Sequence, residues 1–195
     1  MAAPASVSMK KIDGVYAMNR TISDDPDPIL ALQGISWLVR KAIAIAPVSL
    51  VMKQYDDPTT GVTHLDTEQR GVAGIKGWVE ARTLDFQERE ADNGLFGKVR
   101  SQSRWVKVGE IEDDFLKEGW LVTDDDAPLT EGGDKAGPGD LLHSHVVSLQ
   151  ADWVAEQIWG FSEVDGKRYH TRLVVVSTPK ERVQAKLVYD YTGES

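Results

Sequence analysis

The sequence predicts a mainly β fold, an antiparallel up-and-down β-barrel of about ten strands with a helix-turn-helix lid near the N-terminus. Three observations predict it. A strand-like run, Gly14-Val15-Tyr16, comes first; two short amphipathic segments joined at Gly34 follow; from Val48 onward the apolar runs are short, alternating or β-branched, and bounded by turn residues. Many strands in only 195 residues favour closure, because a closed barrel leaves no unpaired edge.

The first helix begins after Ser23-Asp24-Asp25, side chains that accept from the free N–H groups of a helix start, with Pro28 in its first turn, and it ends at Gly34. The second, over residues 36–46, carries Trp37, Leu38, Ala42 and Ile45 as an apolar stripe, turns Arg40 and Lys41 outward and stops at Pro47. The lid thus covers residues 27–46, and helices this short must dock on something to persist. Strands are expected at 48–55, 62–70, 77–88, 95–108, 141–149, 153–162, 168–177 and 183–191. The Tyr16 strand and a further one at 120–123 bring the count to about ten. Turn chemistry supports the joints at Asp56-Asp57-Pro58-Thr59-Thr60-Gly61, Asp92-Asn93-Gly94, Asp165-Gly166 and Thr178-Pro179-Lys180. Residues 109–140 read as a surface insertion, loop-like from 123 onward where Asp, Gly and Pro dominate, in a chain that is a single domain over 1–195.

A net charge of -9 and a pI near 4.9 argue against nucleic acid or an anionic membrane as partner, since both require a basic face. The absence of cysteine removes disulfides, thiolate nucleophiles and Cys-based metal sites. No run approaches the roughly 18–20 apolar residues of a membrane span, and residues 1–11 lack the apolar stretch of a signal peptide. A cytoplasmic protein is the expectation. Phosphate-binding loops, dinucleotide fingerprints and nucleophile elbows are missing from the sequence, so kinases, dinucleotide enzymes and serine hydrolases are poor candidates.

Several stretches resemble the intracellular fatty-acid-binding proteins. They are Gly14-Val15-Tyr16, Ser23 to Asp27, Leu32-Gln33-Gly34-Ile35 with Arg40-Lys41-Ala42, Thr67-Glu68, Asp85-Phe86-Gln87-Glu88, Asp92 with Lys98-Val99, Val164-Asp165-Gly166-Lys167, Leu173-Val174-Val175 and Leu187-Val188-Tyr189-Asp190. The likeness runs in the right order through most of the chain, and it implies a lipocalin-like (calycin) barrel enclosing a cavity entered beneath two helices. It also implies a ligand-gripping Arg-x-Tyr pair on the last strand. Here the matching positions are Leu187 and Tyr189, so the tyrosine is kept and the arginine is gone. An aliphatic side chain cannot make the bidentate grip of a guanidinium on a carboxylate, which counts against ordinary fatty-acid transport.

Alternation along strands suggests which side chains share a face. Trp78, Glu80, Arg82, Leu84, Phe86 and Glu88 share one; Trp153, Ala155, Gln157, Trp159 and Phe161 another; Val183, Ala185, Leu187 and Tyr189 a third; and Ser101, Ser103 and Trp105 a fourth. If these faces point inward, the ligand is contacted by Tyr16, Trp37, Trp78, Phe86, Trp105, Trp153, Gln157, Trp159 and Leu187. The chemistry falls to Arg82 and Tyr189 as carbonyl-polarising groups, with Glu80 tuning Arg82 or moving a proton. A one-residue error in register instead turns the Glu80 and Arg82 pair to solvent or leaves it a satisfied ion pair. His145, or His170, is a candidate general acid or base. His143 and His145 have the spacing of two metal ligands without a third, Asp24-Asp25-x-Asp27 is explained by helix capping, and Asp124-Asp125-Asp126 lacks calcium-loop spacing, so no metal and no cofactor is called for.

Three functions fit. The first is a cofactor-free enzyme that folds a hydrophobic polyketide-like or terpenoid-like substrate into a reactive shape and assists cyclisation, cycloaddition or isomerisation. Lipocalin-like barrels of fungal secondary metabolism offer a fold-level likeness for it. The second is a carrier of an uncharged lipid-like ligand, and the third a partner-binding barrel filled by its own side chains. Loss of the carboxylate-gripping arginine, with the Glu80 and Arg82 pair, tips the reading towards the enzyme.

Overall fold

A computed structural model describes residues 1–70, 77–121 and 141–193. Ten antiparallel strands form a nearly closed barrel: β1 (Gly14–Met18), β2 (Ser49–Asp56), β3 (Thr63–Gln69), β4 (Trp78–Thr83), β5 (Arg89–Asn93), β6 (Gly97–Val106), β7 (Leu141–Ser148), β8 (Val154–Val164), β9 (Lys167–Ser177) and β10 (Arg182–Gly193). Their order is β4-β3-β2-β1-β10-β9-β8-β7-β6-β5, so strands adjacent in sequence are paired except β4 with β5, and β1 is joined to β10 as well as β2. Asp165 and Gly166 turn β8 into β9 with φ of 50° and 71°, the left-handed pair that a tight hairpin demands and that Asp-Gly supplies at low cost.

Among the described residues the expected count of ten strands holds, although one member differs. The run at 77–88 is not one strand: β4 ends at Thr83, the chain turns through Phe86 at φ 58°, and β5 is the strand that follows. Of the strand expected at 120–123, Trp120 makes an isolated bridge to Ser162, and residues 122–123 lie outside the described residues. The expected loop at 123–140 lies outside the described residues.

The lid helices α1 (Asp27–Leu32) and α2 (Trp37–Ile45) sit where the sequence places them, but the second is turned about its axis. Val39 and Ile43 pack inward, and Arg40 reaches back to Asp27 at 2.6 Å. The expected apolar stripe instead faces out, with Trp37 63%, Leu38 72% and Ile45 85% exposed. Capping differs in part: Asp25 Oδ1 accepts from the Asp27 N–H at 2.9 Å, as expected, while its two neighbours serve elsewhere. Asp24 accepts from the Lys186 N–H and Ser23 exchanges hydrogen bonds with Val188, tying the entry of α1 to β10.

The barrel interior is divided. Towards one end Met9, Ile12, Tyr16, Met52, Leu65, Leu142, Trp159 and Phe161 form a filled core, into which the N-terminal segment folds like a plug. Towards the other, Ile29, Leu30 and Ile35 from the lid meet Trp153, Ala155, Val174, Val176 and Ala185 around a hollow. A third core lies outside the barrel. Residues 108–120, including α3 (Asp114–Lys117), form a strap whose Ile111, Leu116 and Trp120 cover Ile158, Leu173 and Val175 on the outer face of β8 and β9. A Cβ at Gly160 would come within 2.5 Å of Leu141 and 2.8 Å of Trp120, so glycine lets the strap approach this closely.

Candidate functional site

The hollow measures about 420 Å³, within the roughly 300–1,000 Å³ usual for small-molecule sites. Its walls are largely apolar: Ile29 and Leu30 of the lid, Val146 and Trp153 of the barrel, and Leu95 and Phe96 from the turn between β5 and β6. Of its polar residues, Arg82, Arg172, Gln157 and Tyr189 gather at the floor, where the hollow meets the filled core.

That floor is built around one indole. Trp159 is fully buried, and two guanidinium groups lie against its ring, with Arg172 Cζ at 3.5 Å and Arg82 Cζ at 4.4 Å from the centroid. Arg172 also lies 5.1 Å from the Tyr189 ring. The flat, weakly hydrated guanidinium tolerates such stacking where an ammonium would not. Arg82 is paired with Glu80, whose Oε1 further accepts from Trp78 Nε1 at 3.2 Å and Asn93 Nδ2 at 2.9 Å. Gln157 accepts from Trp159 Nε1 at 2.9 Å and holds the indole in place.

Arg172 is held from behind by a histidine. His170 Nδ1 lies 3.1 Å from the Gly160 carbonyl, which can only accept, so the proton sits on Nδ1 and Nε2 is left to accept from Arg172 Nε at 3.4 Å. Burial, reinforced by the positive charge of Arg172, keeps this imidazole well below its ordinary value and therefore neutral. Burial likewise lowers Arg172 itself to about 10, still charged near neutrality. For Glu80 burial pulls upward, but the Arg82 charge and hydrogen bond, with the Trp78 N–H, outweigh it and hold the carboxyl low. The Tyr189 hydroxyl is raised by burial and stays protonated.

At the floor two guanidiniums stand with one carboxylate, Glu80, since the other acid of the lining, Asp92, is exposed. Among the described residues Arg82 Nη1 and Arg172 Nη2 have no hydrogen-bond partner, nor do the hydroxyls of Thr67 and Ser144 on the same lining. Buried donors without acceptors are costly, and this set lies around the hollow where a ligand oxygen would satisfy it.

Of the residues singled out from the sequence, Glu80, Arg82, Tyr189, Trp78, Trp153, Gln157 and Leu187 line the hollow. Six others are placed elsewhere. Tyr16 is buried in the filled core and donates to the Ile12 carbonyl at 2.9 Å. Trp105 packs beside that core with Lys10 over its ring, and Trp159 lies under the arginines within the core itself. Phe86 leaves the inward face because β4 ends three residues before it, and it packs with Arg104 and His143 outside. Trp37 is turned outward with the face of α2 that carries it. His145 belongs to the outer face: alternation from Ser144 and Val146, which line the hollow, turns it away, and with His143 it flanks Glu156 at 2.5 and 2.6 Å.

Arg172 is the residue that sequence reasoning missed. It stands directly opposite Leu187 in the β9–β10 register, so a guanidinium stands on the neighbouring strand beside the position where the last strand lacks one. The signal was present as Arg168-x-His170-x-Arg172 on one face of β9, but the opposite face is equally buried.

No protein-family model matches the chain. Two curated proteins match nearly all of it. The "Probable pericyclase scpY" of Mollisia scopiformis is 35% identical over 192 residues, covering 98% of this chain and 95% of that protein. The "Pericyclase pydY" of an Acremonium species is 34% identical over 193 residues, covering 99% and 98% respectively. Among solved structures, a Schistosoma mansoni fatty-acid-binding protein in complex with arachidonic acid superposes with a TM-score of 0.53 at 13% identity, covering 96% of this chain and all of that one. The latter likeness is one of fold.

Proposed function

We propose that this chain, which belongs to the family of the pericyclases scpY and pydY, binds a hydrophobic polyene of polyketide-like or terpenoid-like character in the hollow and assists its cofactor-free cyclisation, cycloaddition or isomerisation. The observation that carries the reading is the cavity floor: two guanidiniums with N–H groups that have no partner among the described residues, at one end of a largely apolar chamber. Pericyclic steps need no nucleophile and no proton relay. They are accelerated when a flexible chain is held with its reacting carbons close, and when a conjugated carbonyl is polarised so that electron density flows towards it.

The chain's own residues supply both effects. The apolar walls fold the hydrocarbon portion and keep water out. Arg82 and Arg172 donate to a carbonyl or enolate oxygen conjugated with the reacting system, and Tyr189 adds a neutral donor. Glu80 orients Arg82, and His170 steadies Arg172. These donors are fixed before the substrate arrives, so little reorganisation opposes the transition state, where oxygen carries more negative charge than in the ground state.

A pericyclic isomerisation leaves mass unchanged while shortening conjugation. Incubating the protein with the polyene pool of a host strain deleted for its gene tests the proposal directly. The expected result is loss of long-wavelength absorbance and appearance of an isomer of equal mass and altered retention. Recovery of the same polyene unchanged from a saturated complex would leave the second reading, a carrier of an uncharged lipid-like ligand, which the apolar walls also suit.

A further inference from the structure

The barrel is hydrogen-bonded from strand to strand except at one seam, since β4 and β5 stand at the two ends of the strand order. The hollow reaches this seam: Val79 and Ala81 of β4 and Ala91, Asp92 and Asn93 of β5 all contribute to its lining. A side-chain hydrogen bond spans it, from Asn93 Nδ2 to Glu80 Oε1 at 2.9 Å. The other end of the same amide faces the turn that follows, where Asn93 Oδ1 accepts from the Leu95 and Phe96 N–H groups at 3.1 and 3.3 Å. Leu95 and Phe96 both line the hollow, and Phe96 meets Trp153 edge-on.

One side chain therefore fastens the turn with its oxygen and the cavity carboxylate with its nitrogen. Glu80 passes the constraint on. Its second oxygen is paired with Arg82, so the place where Asn93 holds Glu80 decides where Arg82 presents its unpartnered N–H. A hydrogen bond to a carboxylate away from bulk water belongs to the stronger class, and among the described residues β5 has only β6 as a strand partner, so this bond ties β5 to β4 where no ladder does.

We propose that Asn93 is a positioning residue: by holding Glu80 across the seam it aims Arg82 at the ligand and closes the side of the cavity. The inference rests on the hollow being the ligand site proposed above, yet its decisive measurement needs no ligand. The substitution Asn93→Asp keeps the oxygen that caps the turn, removes the donor and sets a second carboxylate against Glu80. Amide hydrogen exchange in residues 78–83 and 89–93 should accelerate about tenfold or more, with β8 and β9 unaffected as a control for folding. The indole N–H resonance of Trp78, which shares the Glu80 oxygen, should shift. Adding Glu80→Gln to Asn93→Asp restores a donor and an acceptor in the reverse sense, and exchange at the seam should return to within about twofold of the parent. Binding of cis-parinaric acid, a fluorescent tetraene, should weaken in the single variant and recover at least in part in the double.

Unchanged seam exchange and an unshifted Trp78 signal in Asn93→Asp would overturn the proposal, whatever the protein does to a substrate. Faster exchange without rescue by the second substitution would also overturn it, by tracing the damage to the turn. If the seam behaves as expected while no polyene is ever converted, the catalytic reading falls and the role of Asn93 in the cavity stands.

Discussion

The two halves of the barrel are made of similar strands and do opposite things. On one side of the Trp159 ring, large side chains and the N-terminal plug fill the interior; on the other, smaller ones such as Ala155, Val174 and Ala185 leave it hollow under the lid. Charge collects at the border between them. The filled half offers buried partners from behind, such as His170 against Arg172, while on the hollow side Arg82 Nη1 and Arg172 Nη2 have no partner among the described residues. What makes the site is therefore the abrupt change in packing along each strand: a guanidinium is affordable inside a barrel when one side of it is stacked on a rigid indole and the other opens on a space for ligand.

The comparison is broken most forcefully at the border. Trp159→Ala removes the ring on which both arginines lie, and a fully buried indole lost from a packed core should cost about 3–5 kcal/mol of stability in urea unfolding. A cost near zero would mean that the filled half is not packed as described. Arg172→Leu should separate stability from function. Replacing a buried charge by an apolar side chain is often neutral or stabilising, so unfolding should shift little, while turnover of the polyene should fall by about 10²–10³ if the guanidinium stabilises the transition state. A raised KM with kcat unchanged would point to binding alone.

Adding volume sharpens the contrast between the halves. Val174→Phe projects into the hollow and should abolish ligand binding with stability changed by less than about 1 kcal/mol, whereas Leu65→Phe overfills the packed half and should cost about 1–3 kcal/mol. The smallest effect is expected on the outer face. His145 is raised chiefly by its hydrogen bond to Glu156. Burial pulls Glu156 upward, but its hydrogen bonds to His143 and His145 win and bring it to about 2. The His145 contribution is complete below the ordinary value of 6.5 and fades as pH rises through the raised one; the Glu156 contribution is complete above 4.5 and is lost as pH falls towards 2. Partial exposure screens the cluster, so His145→Gln should lower stability by under about 1 kcal/mol near pH 6 and by nothing at pH 9. The pH profile of turnover should not change, because the residue faces away from the cavity. A changed profile would place His145 in the chemistry after all.

Legibility of the site followed the same division. Inward faces could be read on β4 and β10 from their period of two: Trp78, Glu80 and Arg82 share a face that lines the hollow, as do Leu187 and Tyr189, although on β4 the polar side chains Glu80 and Arg82 are the inward ones. β9 could not be read. The strap buries Leu173 and Val175 from outside while Val174 and Val176 are buried from inside, so both faces are apolar and Arg172 carries no sign of which way it points. Phe86 was misplaced for a third reason, a break in the strand at a residue with positive φ, which a period-two pattern runs straight through.

The amino-acid sequence by itself determined the strand-rich class, the position of the helical pair, the Asp165-Gly166 turn and the acidic, cysteine-free character, because these follow from local periodicity, turn chemistry and composition. Only the tertiary structure decided which half of the barrel is hollow, which face of α2 meets the core, and that an arginine on β9 stands beside the position the last strand leaves aliphatic. Those depend on what packs against a strand from far away in the chain, here an N-terminal plug and an outer strap, and no local pattern carries that information.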